Sequence, residues 1–334
     1  MPTGDGTRAA ALVVLSCLLA AAAAWSVTLG TATLPLSQVL DAIFAFDGSR
    51  EHLVITTIRL PRVLAGLLAG SALAVSGAIM QAVTGNPLAS PGLLGINAGA
   101  AFAVVMAIVV IGAGSSDIHV WHAFAGAAIA AAIVHALGSA GRSGGSPLRL
   151  VLAGTVVSAF LASLTTAALI LDQGTLDTVR LWTAGSLSGR TMAQVAGVTP
   201  YILIGLAAAL IVRRQIATLS LGADLARSVG QSPLLWRSLA VVLVILLAGG
   251  AVALAGPIGF VGLVVPHIVR MMSGVDYRWI IPFSALGGAL LLVTADTLGR
   301  TLLGSQSFPA GVTMAMIGGP FFLWLARYRV RGAA

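Results

Sequence analysis

The chain has 334 residues, 58% of them apolar and only 8% charged, with a mean hydropathy of +1.02. Soluble domains carry about a quarter charged residues, so this composition excludes a soluble globular fold and points to a membrane. The net charge of +8 is not a nucleic-acid signal, because the basic residues stand at the ends of apolar runs, where the positive-inside rule puts them. All 18 basic residues are arginine, and a phosphate-binding loop needs a lysine, which excludes an ordinary ATPase. Cys17 is alone in an apolar run and provides neither a disulfide framework nor a thiolate metal site.

At about 20 residues per span plus turns, the length accommodates roughly ten helices. Residues 9–30 form an uncharged run behind Arg8. The alanines near Trp25 also fit a signal-peptide cleavage site, but the run is longer than a signal core, which favours a retained first helix. Pro35 followed by LSQVLDAIFAF reads as a short amphipathic helix at the membrane interface. Arg59 and Arg62 flank Pro61 and open helix two, residues 63–81. The polar turn TGNPLASPG, with Pro87 and Pro91, leads into helix three, residues 93–111. Gly66 and Gly70 are four apart, as are Gly95 and Gly99, a spacing that lets helix backbones approach closely in lipid.

After a turn at residues 112–117, helix four covers residues 118–137, with His135 as a packing histidine. A flexible turn at residues 138–147 precedes helix five, residues 148–171, which carries Thr155, Ser158, Ser163, Thr165 and Thr166. Those hydroxyls serve their own helix backbone or line a wet pathway, and the sequence favours neither. A polar connection over residues 172–190, with Trp182 at interface depth, leads to helix six, residues 195–212, which ends at Arg213 and Arg214.

Residues 215–237 are polar but patterned: Leu219, Leu221, Leu225 and Val229 alternate with Asp224, Arg227 and Ser228. A plain linker has no reason for that pattern. Helix seven spans residues 234–254, and a short apolar helix ending at Met272 contains Pro266, His267 and Arg270. The two basic groups suit a helix C-terminus through the macrodipole. Helix nine, residues 279–298, contains Asp296, which Arg300 one turn on can neutralise. Helix ten covers residues 309–326. An even number of spans returns both ends to one side. That side, which includes Arg142, then holds 12 of the 18 arginines, and the other side holds Arg50, Arg59, Arg62, Arg180, Arg190 and Arg300. The richer side is cytoplasmic by the positive-inside rule.

Several stretches resemble the membrane permease subunits of ABC importers for iron chelates and cobalamin. They are R-x-P-R at Arg59, Pro61 and Arg62; G-x-x-x-Q at Gly77 and Gln81; and N-P-L-A-x-P-x-x-L-G at residues 86–95. Further on come L-G-x-x-x-A-x-x-x-G at Leu221, Gly222, Ala226 and Gly230, and G-F-x-G-L-x-x-P-H-x-x-R from Gly259 to Arg270. The resemblance covers nearly the whole chain. It implies an all-α polytopic protein of about ten transmembrane helices with the type II ABC importer permease fold. Helices 2–5 and 7–10 would form inverted repeats within a single domain over residues 1–334.

The same resemblance implies roles for particular residues. Arg59, Arg62 and Arg300 would receive acidic residues of an extracytoplasmic binding protein. Asn86, Pro87 and Leu88 would form a cytoplasmic gate. A coupling segment over residues 215–233, with Leu219, Leu221, Gly222, Asp224, Ala226, Arg227 and Gly230, would dock into the ATPase. Thr155, Ser158, Ser163 and Thr166 are candidates for lining the pathway, and Gly259, Pro266, His267 and Arg270 form a structural motif. The implied partners are a second permease subunit, two cytoplasmic ATP-binding subunits, the binding protein, the bilayer and a metal chelate carried whole. A ferric siderophore is the first substrate expected, with haem or cobalamin next; no cofactor or metal site is expected. The implied location is the bacterial inner membrane, with both termini cytoplasmic. Two departures from the family's pattern weaken any narrower guess at substrate: Ser307, where an acidic residue is common, and Met192, where a tryptophan is. The rival class is an ion-coupled secondary transporter, which usually needs buried ionisable groups. Asp296 is the one acid well inside an expected helix. An intramembrane enzyme would need a paired catalytic set, and none is visible.

Overall fold

Long uncharged runs punctuated by glycine and proline fold as helices, because in lipid every backbone polar group must be satisfied within the chain. The computed structural model describes residues 4–30, 33–112, 116–140, 147–302 and 308–331. Arg142 and Ser307 lie outside the described residues, as do parts of the turns expected at 112–117 and 138–147. The first half contains α1 (Asp5–Thr28), α2 (Leu36–Phe44), α3 (Arg50–Thr84), α4 (Ile96–Ile111), α5 (Ser116–Ser139) and α6 (Pro147–Leu171). Next come α7 (Gln173–Thr183), α8 (Met192–Ile211), α9 (Arg213–Ser220) and α10 (Ala223–Ser228). The last are α11 (Pro233–Ala255), α12 (Val261–Ser273), α13 (Tyr277–Leu302) and α14 (Ala310–Arg331). Among the described residues there is no strand. Among the described residues seven helices are long and apolar enough to cross a membrane, and three shorter apolar ones bring the number to the ten expected.

Helix α3 is the hub. It is largely buried from Pro61 to Thr84 and packs against α8, α9, α11, α12 and α13. Small residues make this possible. A methyl group at Gly70 would overlap the backbone of Gly288 on α13, and one at Gly77 would overlap the backbone of Gly262 on α12. Gly99 on α4 meets Gly126 on α5 in the same way, and Gly154 on α6 meets the carbonyl of Leu93. Of the two glycine pairs expected from spacing, Gly70 and Gly99 are thus backbone contacts. Gly66 faces the side chains of Val293 and Leu187, while Gly95 is needed for its conformation, with φ 73° after the 3-10 turn Pro91–Leu94.

Two elements differ from expectation. Helix two begins at Arg50 rather than at residue 63, so Arg59, Pro61 and Arg62 lie inside it. A π-turn over Ile55–Arg59, closed by Leu60 N–H donating to the Ile55 carbonyl, widens the helix just before Pro61. That rearrangement absorbs the donor the proline lacks. A second π-turn, Ile245–Gly249, interrupts α11, the equivalent helix of the second block. The polar connection also contains a helix, α7, capped by Asp172. Hydrogen bonds from the side chain and N–H of Thr175, together with the Gly174 N–H, hold the Asp172 carboxyl below the usual carboxylate range.

Helix α2 and His135 match expectation. Helix α2 turns Val39 and Ala42 inward and leaves Leu36, Leu40, Ile43 and Phe44 exposed. His135 packs with its Nε2 2.9 Å from the Ser238 hydroxyl. The crossing of α3 and α12 gives a direct test. Gly77→Ala should destabilise the purified permease by about 1–3 kcal/mol, the usual cost of overpacking. Gly319→Ala, where a methyl meets nothing within 4 Å, should be neutral or slightly stabilising. Thermal melting in detergent checks both.

Candidate functional site

The candidate residues fall in two groups, towards either end of α3. At its N-terminal end a buried cluster of charge ties three helices together. The Arg62 guanidinium donates two hydrogen bonds of 2.8 Å to the two oxygens of Asp296 on α13 and a third, 3.1 Å, to Ser188. Arg59 donates to the carbonyls of Val27 and Thr28 at 2.9 and 2.8 Å. Arg300 donates to the carbonyl of Leu29 at 3.0 Å, to the carbonyl of Ser26, and to the Ser26 hydroxyl at 2.8 Å. The last carbonyls of a helix have no partner within it, and in a membrane water does not supply one. Two guanidiniums cap the end of α1, where the macrodipole also favours positive charge.

This corrects two expectations. Arg59, Arg62 and Arg300 are 5%, 5% and 2% exposed, so they are not free rim charges at a helix mouth. The main partner of Asp296 is Arg62, 234 residues away in sequence; Arg300 approaches it only to 3.8 Å. Helix α1 is also an integral part of the bundle, since its end is what the arginines hold. Ser26, which accepts from both Arg300 and Thr297, gave no signal in the sequence.

At the other end of α3, the segments that matched the family's wording meet. Gln81 donates from Nε2 to the Gly262 carbonyl at 3.4 Å and accepts a hydrogen bond from Arg270. Arg270 therefore bridges α12 to α3, a partner beyond the macrodipole role expected of it. His267 is buried beside it, and Pro91 packs against Gly262. Helix α3 then ends at Gly85, with φ 62°, in a compact turn. Asn86 Oδ1 accepts from the Leu88 N–H at 2.9 Å, and the Asn86 carbonyl accepts from the Ala89 N–H at 3.1 Å. Asn86 thus shapes the turn, and Leu88 stands exposed at its tip.

The coupling segment lies on the same side, with α9 packed against α3 and α13. Ile216 and Leu219 face inward and Ala226 is fully buried, whereas Leu221, Leu225 and Val229 are 65%, 47% and 65% exposed. Asp224 and Arg227 form an exposed pair of 2.7 Å beside them. Gly222 (φ 106°) and Gly230 (φ 77°) make the breaks that set this face. Of the residues singled out by pattern, Gly222, Ala226, Gly230 and Leu219 build the element. Leu221, with Leu225 and Val229, presents it. Nearby, the hydrogen bond from Arg278 holds the Asp276 carboxyl below the usual carboxylate range.

The hydroxyls of α6 serve their own helix. Thr155, Ser163 and Thr166 each bond to the carbonyl four residues back, at 2.9 Å. Their helix is largely exposed in the isolated chain, with Leu152, Val156 and Phe160 uncovered. Ser158 lies beside Gly95.

The arginine cluster yields a prediction. Arg62→Met leaves Asp296 without its bidentate partner and should cost about 3–5 kcal/mol. Combining it with Asp296→Asn should recover most of that loss. Thermal melting of the single and double variants measures it; equal destabilisation by both would deny the pair its role.

Comparison with known proteins accords with this geometry. A family model described as the FecCD transport family matches residues 18–328. The Fe(3+)-citrate import system permease protein YfmD of Bacillus subtilis (strain 168) is 44% identical over 302 residues, 90% of each chain. The ferric enterobactin transport system permease protein FepD of Escherichia coli (strain K12) is 41% identical over 328 residues, 98% of each. The hemin transport system permease protein HmuU of Yersinia pestis is 41% identical over 273 residues, 80% of this chain and 81% of that one. Among solved structures, an inward-facing metal-chelate type ABC transporter superposes with a TM-score of 0.82 at 26% identity, covering 96% of this chain and 99% of that one. The ten apolar helices, the order of the motifs and these likenesses agree: the chain belongs to the FecCD transport family and is a polytopic membrane permease with the type II ABC importer fold.

Proposed function

We propose that this chain is the membrane-spanning subunit of a binding-protein-dependent importer that carries a ferric siderophore across the cytoplasmic membrane, driven by ATP hydrolysis on separate subunits. The observation that carries this reading is the exposed apolar face of Leu221, Leu225 and Val229 on α9–α10. It projects at the arginine-rich end of the bundle, where lipid does not cover it. Apolar groups uncovered there fit a protein partner. The relatives' names favour an iron chelate as cargo, and the arginine count supports a cytoplasmic location for both termini.

Two such chains, identical or paralogous, enclose the pathway between their exposed α6 faces, and the turn at Asn86, Pro87 and Leu88 closes its inner end. The binding protein docks at the opposite end. Arg59, Arg62 and Arg300 act there by fixing the end of α1 to α3 and α13, which sets the shape of the docking face. Haem is the second cargo, favoured by the hemin relative. The ion-coupled alternative is weakened by Asp296, because both of its carboxylate oxygens are already occupied by the Arg62 guanidinium.

The test is copurification. Leu221→Asp with Leu225→Asp should leave insertion and melting unchanged while the ATPase subunit no longer copurifies, and iron-chelate uptake by cells should fall to background. Retention of the ATPase by this exposed-face variant would count against the docking assignment. Uptake that persists after the ATPase is deleted and follows an imposed proton gradient would favour the other class.

A further inference from the structure

A cavity of about 320 Å³ opens between α9 and the start of α13. Arg213, Arg214 and Ala217 line it from α9, and Asp276, Tyr277 and Arg278 line it from the other side. Its depth is set by membrane spans on both flanks. Arg213 stands two residues beyond the end of α8, and Asp276 stands one residue before α13. Helices α8 and α13 are both long and apolar enough to cross a bilayer. The cavity therefore lies at the level of lipid headgroups, on the arginine-rich side.

The charge around it does not cancel. Asp276 is taken up by its neighbour: Oδ1 accepts from the Arg278 N–H at 2.9 Å, and Oδ2 accepts from Arg278 Nε at 2.8 Å. Among the described residues, the side chains of Arg213 and Arg214 have no hydrogen bond or ion pair. Three guanidiniums against one carboxylate leave an excess of two positive charges around one cavity. Its surroundings are apolar. Leu203, Ile204 and Ile211 on the last turns of α8 are exposed, as is Val275 beside Asp276. Trp279 on α13 is half-buried, and its Nε1 donates to Asp5 Oδ1 at 3.3 Å, an indole placed as those at membrane interfaces are. A soluble anion would gain from the arginines alone. A lipid phosphate gains from them while its acyl chains cover the exposed apolar side chains.

The geometry points to a binding site for an anionic phospholipid of the leaflet on the arginine-rich side, with its phosphate held by Arg213 and Arg214 and its headgroup in the cavity. Basic pockets between membrane helices on the cytoplasmic side take such headgroups, and a guanidinium matches phosphate through paired N–H donors. A zwitterionic headgroup brings a positive charge of its own and is disfavoured there. The site stands at the opposite end of α9 from Leu221, so it is separate from the apolar face read above as the ATPase contact and does not depend on that reading. A bound lipid ties the start of α9 to α13.

The experiment uses the full-length permease in a non-ionic detergent. Native mass spectrometry counts bound lipid while phosphatidylglycerol or phosphatidylcholine is titrated in. Phosphatidylglycerol should bind first, saturating near one per chain, and phosphatidylcholine should bind more weakly. Arg213→Gln with Arg214→Gln should weaken the first phosphatidylglycerol by about tenfold, as expected for a lost charge-assisted hydrogen bond, with lipid-free melting unchanged. Arg149→Gln with Arg327→Gln removes the same charge from exposed positions outside the cavity and should leave binding nearly as it was. Millimolar glycerol 3-phosphate should not displace the lipid. Equal binding of the two lipids, or equal loss in the two double variants, overturns the site. Displacement by glycerol 3-phosphate overturns the lipid as its occupant in favour of a soluble anion. Unchanged lipid binding by the Arg213 and Arg214 variant, with loss of the copurifying ATPase, overturns it in favour of a protein partner.

Discussion

The bidentate pair between Arg62 and Asp296 is the constraint on which the rest of the molecule depends. Charge inside a membrane protein is expensive and persists only where it is paired. Here it fixes α3, just past its π-turn, against the last part of α13, and those two helices form the centre of the bundle. Arg59 and Arg300 flank the pair and use their donors on the end of α1. The glycine crossings at Gly70 and Gly77 then bring the backbones of α13 and α12 into contact with α3 further along. A single helix thereby carries a charged clamp towards one end and the compact turn at Asn86–Leu88 at the other.

The two ends differ in kind. The outer one is a dense knot of guanidiniums, a carboxylate and helix-end carbonyls, all withdrawn from water. Taking it apart would strand several charges at once. The other one depends on a few hydrogen bonds that join Gln81 to Arg270 and to the Gly262 carbonyl, next to short helices with glycine breaks at Gly222 and Gly230. It is the end at which a chain can yield. Motion on a rigid scaffold suits an importer in which the pathway lies between two copies of the permease and opens by rocking them.

Much of this was legible in the sequence, for physical reasons. Uncharged runs of membrane length gave the ten apolar helices, since lipid leaves the backbone no other option. The alternation from Leu219 to Val229 marked an ordered element with an exposed apolar face. What stayed hidden depended on distance in sequence or on local geometry. Arg62 and Asp296 are 234 residues apart, so the nearer Arg300 looked like the partner. Pro61 read as a helix start because proline usually is one; the π-turn that lets α3 run through it has no sequence signature. In the coupling segment, the pattern could not tell the buried Ala226 from the exposed Leu225, because the turn at Gly222 resets the helical phase.

The central claim is that the outer knot is rigid within the chain while the inner end moves. Hydrogen exchange measured by mass spectrometry tests it most directly, on the permease–ATPase complex in nanodiscs with and without ADP and vanadate. The account predicts that peptides covering residues 24–30, 57–64 and 294–302 keep the same strong protection in both states, and that those covering residues 82–90 and 219–230 change. Equal change at both ends, or change confined to the outer knot, would contradict it.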